Sequence, residues 1–294
     1  MSEKEQDQEF QFNDGLPEIL SPTYNHIFKR IITHVPGFME GLLKSVPGVI
    51  DNEDAEVIIS DPHQYPENPD GKLGILDIKV VVKSDKIVNV EMQRKSIAHT
   101  RERVVYYLSG MVLGQIKTGD DYDKLQRVIN IVITDQELIK GDKVYHHKYR
   151  LYDPETYSEF TDLLEVRTLE LSKLPQADDG SDLWGWMSFF TAETKEDLAM
   201  VATKSPVLEE AVHYLLDMSK DAVERRNLER IRLREMDERV MRREAIAEAR
   251  AEAIAAAAEA KAEIIAEGMN KFIELIEKGY TIDEIKKMCA DGNI

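Results

Sequence analysis

The sequence predicts an α/β domain, a mixed sheet core flanked by helices, followed by an all-helical C-terminal extension with a long Ala-rich helix. Three observations carry this. Apolar, β-branched runs at 75–82, 87–93 and 128–134 are interleaved with amphipathic helical stretches. No proline or glycine occurs between Pro206 and Gly268. Within 244–267, 12 of 24 residues are alanine, the strongest helix former. At ~150 residues per domain, 294 residues suit a core plus an appendage.

In chain order, residues 1–18 hold six acidic side chains against one lysine and few apolar ones, the composition of a disordered tail. Ser21-Pro22 reads as N-cap and first turn of a helix bearing Tyr24, Ile27, Phe28 and Ile31 and ending before Pro36. A second helical stretch covers 37–45. A short strand at 56–60 precedes a loop at 61–74 that contains three prolines and two glycines. The runs 75–82 and 87–93, separated by a short polar connection, read as a hairpin. A helix is expected over 99–117, closed by Gly119. The run 128–134 is apolar throughout and reads as a strand buried on both faces. Further strands are expected at 147–152 and 163–169, giving a core over 19–175. The helical extension then covers 176–267, with an aromatic cluster at Trp184, Trp186, Phe189 and Phe190. Seven-residue spacing through Leu233, Val240, Ala247 and Ile254 hints at a coiled-coil seam, interrupted by Arg243 and Arg250. Gly268 is expected to end that helix, and 268–294 to form a small helical hairpin.

The composition bounds function. With 56 acidic and 38 basic side chains the net charge is −18, so nothing coats DNA through overall basic charge, although a local basic face remains open. One cysteine, Cys289, excludes a disulfide framework and a cysteine-based zinc site, and reads as an inert apolar position. The acidic start has no apolar stretch of the secretory kind, and no run reaches the ~18 apolar residues of a membrane helix. A cytoplasmic protein without a membrane partner is expected.

The informative residues lie in the hairpin. Asp77 and Glu91 sit inside strands that are otherwise apolar, and burying unpaired carboxylates costs several kcal/mol. A divalent cation compensates two facing carboxylates, and an all-oxygen ligand set suits Mg²⁺ or Mn²⁺. Equally open from periodicity is a solvated face on which Asp77 and Glu91 alternate with Lys79, Asn89 and Gln93. Register discriminates. A three-residue connection at 83–85 sets Val82 opposite Lys86 and hence Asp77 opposite Glu91, whereas a two-residue connection throws the carboxylates onto opposite faces. The three-residue connection is expected. The reading requires both acids to converge on one cation; acids on opposite sides of the sheet, or a fixed arginine or lysine plugged between them instead, would overturn the functional assignment and leave only the architecture.

These residues resemble a family. Leu76-Asp77 followed by Val90-Glu91-Met92-Gln93 resembles the PD-(D/E)XK nuclease signature, and more narrowly the recombination-promoting nuclease and putative transposase family, where glutamine replaces the final lysine. Arg103 with Tyr106-Tyr107, Gly119 with Tyr122 ahead of the apolar strand, and Ser21-Pro22 with Phe28-Lys29 match its other positions. The resemblance spans about 21–175. It implies a restriction-endonuclease-like fold, Asp77 and Glu91 as metal ligands for Mg²⁺ or Mn²⁺, and Asp77, Glu91 and Gln93 as the catalytic set. Asn25 stands where the family usually has an aspartate. An amide orients water without acting as a base, so the general base is unassigned. Lys79 and Lys95 lie near enough in sequence to neutralise transition-state charge.

Residues 91–150 carry 11 basic and 8 acidic side chains, a net of +3. Arg94, Lys95, Arg101, Arg103 and Tyr107 follow the signature and read as a DNA-facing rim or, alternatively, as a solvated helix start. The arginines of 225–243 alternate with acids as a salt-bridged helix surface. His146-His147 reads as a surface pair on a strand. The leading function is a metal-dependent DNA endonuclease acting in recombination, mobile-element or genome-defence chemistry, associating as a homodimer or higher homo-oligomer through its C-terminal helices. The alternatives are a catalytically weak DNA- or protein-binding assembly protein on the same fold, and a coiled-coil scaffold.

Overall fold

The computed structural model describes residues 19–50, 56–60, 63–64, 74–75, 78–82, 86–94 and 99–290. The expected N-terminal tail, Asp77, Lys95 and the connection 83–85 lie outside them. Eight helices and eight strands run through the described residues: α1 (Asn25–His34), α2 (Phe38–Ser45), β1 (Val57–Ser60), β2 (His63–Gln64), β3 (Gly74–Ile75), β4 (Ile78–Val82), β5 (Lys86–Gln93), α3 (Thr100–Leu113), β6 (Arg127–Thr134), β7 (His146–Tyr152), β8 (Glu159–Glu170), α4 (Asp182–Thr191), α5 (Lys195–Ala202), α6 (Pro206–Lys220), α7 (Ala222–Glu277) and α8 (Ile282–Ala290).

The main sheet has the order β1-β4-β5-β6-β8-β7, with β5, β6 and β8 parallel and the outer pairs antiparallel. This mixed sheet with flanking helices is consistent with the restriction-endonuclease-like fold. The β-branched runs explain its centre: seven of the eight residues of β6 are buried, as a strand covered on both faces must be. Val82 pairs with Lys86 and Ile78 with Val90, the register of the expected three-residue connection.

Helices α1, α2 and α4 interlock through aromatic edges. Phe38 meets Trp186, Phe189 and Phe190 at centroid distances of 5.0, 5.7 and 6.4 Å, all edge-on. Gly41 lies within α2, where glycine costs ~1 kcal/mol against alanine. The reason is contact, since a Cβ there would collide with the Trp186 ring. The aromatic cluster is thus core, packed back onto the first two helices.

Four local expectations are corrected. Ser21 does not cap α1; its carbonyl closes a turn onto Tyr24 N, and α1 begins at Asn25 with Tyr24 as N-cap. Residues 63–64, expected as loop, pair with Gly74–Ile75 in a separate two-stranded sheet, so the run 75–82 is not one strand. Helix α3 ends at Leu113 with Gly114 as its cap, short of 117, because Gln115 exchanges side-chain bonds with both Gln126 N and Gln126 O and turns the chain towards β6. Helix α7 runs through Gly268 to Glu277; Gly279, at φ +92°, closes it instead, as the left-handed position after a helix end. One glycine is too small a penalty to break a helix so rich in alanine.

Two compact units result, one up to Arg225 and one over Arg226–Ile294. In the first, the sheet carries α3 on one face. In the second, Ile285 of α8 is buried, and Cys289 is exposed rather than apolar core. Among the described residues no helix is long and apolar enough to cross a membrane.

Candidate active site

Side chains alternate across a sheet, and partners in register share a face. On β5 this sets Ile87, Asn89, Glu91 and Gln93 on one face. Register extends that face to Lys79 on β4, to Val128, Asn130, Val132 and Thr134 on β6, and to Leu164, Val166, Thr168 and Glu170 on β8. Helix α3 covers it. Leu108 and Met111 pack on Ile87 and Val128 at the start of the strands, with Tyr107 and Val112 beside them. The helix therefore runs back towards the strands' far ends, where its first turns face Glu91 and Gln93. Midway, Asn89 Nδ2 donates to Asn130 Oδ1 at 2.9 Å, a buried polar bridge between the apolar half of the face and its charged half.

Glu91 is 3% exposed. Arg103, from α3, forms an ion pair with its Oε1 and also donates to Gln93 Oε1 at 3.1 Å. The Arg103 guanidinium lies 5.4 Å above the Tyr107 ring, which orients it. The other carboxylate oxygen, Glu91 Oε2, is buried without a hydrogen-bond partner among the described residues. An ionised carboxylate oxygen in that condition is costly, and a cation is the natural remedy. The site thus fits a hard divalent ion at one of its two expected ligands. Asp77 lies outside the described residues. Among the described residues no three acidic, histidine or cysteine side chains are grouped to hold a metal.

The expected DNA-facing residues part company. Arg103 sits inside the site, holding Glu91 and Gln93 together, and is 30% exposed. Tyr107 supports it from the same helix. Arg94 is half-buried and stacks on Tyr24, its Cζ 3.4 Å from the ring centroid, with Nε and one terminal nitrogen buried and without hydrogen-bond partners among the described residues. Arg101 is exposed and donates to the Leu138 carbonyl. Lys79 shares the face of Glu91 and is half-buried. Lys95 lies outside the described residues.

The sequence reading missed two charged groups on β7 and β8. On the face of Glu91, one row in register joins Glu91, Val132, Thr168 and His147, and the next joins Gln93, Thr134 and Glu170. Glu170 is 1% exposed, accepts from Leu138 N at 2.9 Å and Lys173 Nζ at 3.1 Å, and lies 3.8 Å from His147 Nδ1. Lys173 also binds Asp142 at 2.9 Å, and His147 reaches Asp142 at 3.3 Å. His147 is thus no idle surface residue. Lys173 lies between Glu170 Oε2 and Asp142, while Glu170 Oε1 and His147 Nδ1 are buried without hydrogen-bond partners among the described residues.

On the opposite face Glu165 is fully buried among cations. Arg167 Nε is 2.5 Å away, Arg150 Nε 2.6 Å and Lys148 Nζ 4.0 Å, with Arg127 also in contact. Burial pushes the Glu165 carboxyl up, but hydrogen bonds from Arg150 and Arg167 outweigh it and hold the group below the usual carboxylate range. His146 accepts at Nε2 from an Arg167 terminal nitrogen at 3.1 Å. Burial, then the positive charge of Arg167, pushes that imidazole down to about 4. A glutamate between apolar residues of β8 was the available signal, but its partners come from three strands and nothing local pairs them.

No curated protein and no solved structure matched the chain. A family model did, that of the PD-(D/E)XK nuclease family transposases, over residues 29–245. The match reaches beyond the expected limit near 175 to include α4–α6 and the first part of α7. The strand register around Glu91, the helix that covers it and this match across most of the chain agree: the protein belongs to the PD-(D/E)XK nuclease family transposases.

Proposed function

We propose that the chain is a Mg²⁺-dependent DNA endonuclease whose centre is Glu91, with Asp77 as the second metal ligand and Gln93 beside them. The observation that supports this most is Glu91 Oε2, a buried carboxylate oxygen left without a donor among the described residues while its twin is paired. A divalent cation held there would polarise a phosphodiester and acidify the attacking water. The chain's own residues do the rest. Glu91 presents one oxygen to the cation and keeps the other on Arg103. The Arg103 guanidinium, fixed by Gln93 and Tyr107, places a charge-assisted donor beside the scissile phosphate. Lys79 adds positive charge on the same face. Arg101, with Lys95, positions the backbone of the duplex without reading its sequence. Self-association through the C-terminal helices would bring two such centres to the two strands, as DNA breakage in recombination, mobile-element or defence chemistry requires.

Two observations favour the alternative, an assembly protein of low activity on the same fold. Arg103 occupies half of Glu91, and Asn25 stands where the family usually has an acid. The experiment that separates the two is cleavage of supercoiled plasmid by the purified full chain. The nuclease reading expects nicking that needs Mg²⁺ or Mn²⁺, is abolished by EDTA, and is lost in Asp77→Ala. Equal nicking by wild type and Asp77→Ala, or none with either metal, overturns it.

A further inference from the structure

In the unit 226–294, α7 carries an apolar row that no other described residue of that unit covers along most of its length. The row passes through Leu233, Met236, Val240, Ile254, Ile265 and Phe272, all of them 40–63% exposed. Exposed alanines fill the turns between, and Glu244 is the one polar residue in it. Its members recur every ~3.6 residues, the period of a straight α-helix rather than of a left-handed supercoil. A helix with a continuous apolar side in water calls for a partner.

Charge says which partner. Residues 226–243 hold seven arginines against four acids, a net of +3, whereas 244–277 hold eight glutamates against three basic residues, a net of −5. The helix is basic in its first part and acidic in its second. Deepening the self-association proposed above, and independently of cleavage, we infer that the row is covered by α7 of a second copy of this chain, lying antiparallel about a two-fold axis near Ala249. The basic part of each helix then runs along the acidic part of the other. A parallel pair would set +3 against +3 and −5 against −5, which the same rows of charge oppose. In the antiparallel register Leu233 falls opposite Ile265, Met236 opposite Ala262, Val240 opposite Ala258, Ile254 opposite Glu244, and Ala247 opposite Ala251. Alanines at the centre let two straight helices approach closely. The contact is isologous and self-limiting, so it closes at two copies.

The test uses the full chain. Cys289 is the only native cysteine and is exposed, so it is replaced by serine first. Two single-cysteine variants, Leu233→Cys and Ile265→Cys, are then oxidised alone and mixed. The antiparallel pair predicts a covalent dimer in the mixture and little in either sample alone. Light scattering of the wild type should give a dimer mass at tens of micromolar, and Ile254→Glu should shift it to monomer with unchanged helical circular dichroism. Raising NaCl from 50 to 500 mM should weaken the dimer by about tenfold, because exposed charge pairs are screened. Self-crosslinking of Leu233→Cys alone, a monomeric wild type, or a dimer indifferent to salt overturns the inference. None of these readouts involves cleavage, so failure here leaves the nuclease reading standing, and a nuclease failure leaves the dimer standing.

Discussion

Glu91 and Glu165 are both buried carboxylates on strands that flank β6, but on opposite faces of the sheet, and their surroundings differ in kind. Glu165 is saturated: Arg127, Arg150 and Arg167 reach it, Lys148 stands at 4.0 Å, and its carboxyl is held below the ordinary range. Among the described residues Glu91 has one arginine on one oxygen and no hydrogen-bond partner on the other. Burial alone does not separate a structural acid from a candidate ligand, since both are all but inaccessible. What separates them is unmet valence. A carboxylate surrounded by cations has its desolvation compensated within the protein, and one with an orphaned oxygen awaits something from outside.

The sharpest way to break this comparison is to neutralise each acid in turn. Glu165→Gln leaves three arginines clustered around an uncharged amide, and losing one partner of a buried ion-pair network costs ~3–5 kcal/mol. Urea denaturation should show that loss, with any fall in cleavage following only from unfolding. Glu91→Gln should do the reverse. The one cation it strands is 30% exposed and keeps its bond to Gln93, so stability should move by less than about 1 kcal/mol. Metal-dependent nicking should fall by at least ~100-fold, the scale on which electrostatic groups at a reacting centre act. A Glu91→Gln protein that unfolds like Glu165→Gln, or that cleaves like wild type, would erase the distinction.

That contrast also marks where the sequence is legible. The hairpin itself followed from two β-branched runs around a short polar connection, which is local, but its register was expected only because a cation shared by Asp77 and Glu91 requires it; Val82 does pair with Lys86. The buried strand β6 was visible in its unbroken apolar run. The neighbours of Glu165 were not, because Arg127, Arg150 and Arg167 come from β6, β7 and β8, and nothing local announces that β8 lies between the other two. Arg103 was singled out as a residue of interest, but its place against Glu91 depends on α3 folding back across the sheet. Helix ends were misjudged where a glycine was given more weight than its context allows: Gly268 is passed through, while Gly114 caps because Gln115 is bound to the backbone of Gln126.

Arg103 allows a finer cut. If Glu91 awaits a cation, the guanidinium already on its Oε1 competes with that cation. Arg103→Met removes the competing charge and should tighten Mn²⁺ binding by roughly tenfold, a change of ~1.4 kcal/mol, as expected for removing one nearby like charge. Titration followed by the paramagnetic resonance of free Mn²⁺ reads this directly. Cleavage should fall in the same variant, since the donor beside the phosphate is gone. Unaltered Mn²⁺ affinity would mean that Glu91 is not the ligand and that its orphaned oxygen has another cause.

The smallest effect belongs to the saturated side. His146 accepts from Arg167, and burial together with that guanidinium pushes its imidazole down to about 4 from an ordinary 6.5. Between those values the unfolded chain binds a proton that the folded chain refuses. Stability therefore falls as pH drops from 6.5 to 4, by at most one proton's worth of slope. Glutamine at 146 can accept the same bond from Arg167 but cannot titrate in that range. His146→Gln should be as stable as wild type at pH 7 and lose less on acidification to pH 4.5, measured as the shift in urea midpoint. The carboxyl of Glu165, held below its ordinary range, still loses its contribution at lower pH in both proteins, so the difference between them isolates the imidazole. Identical pH profiles would show that the cations around Glu165 do not reach His146, and that the network ends at Arg167.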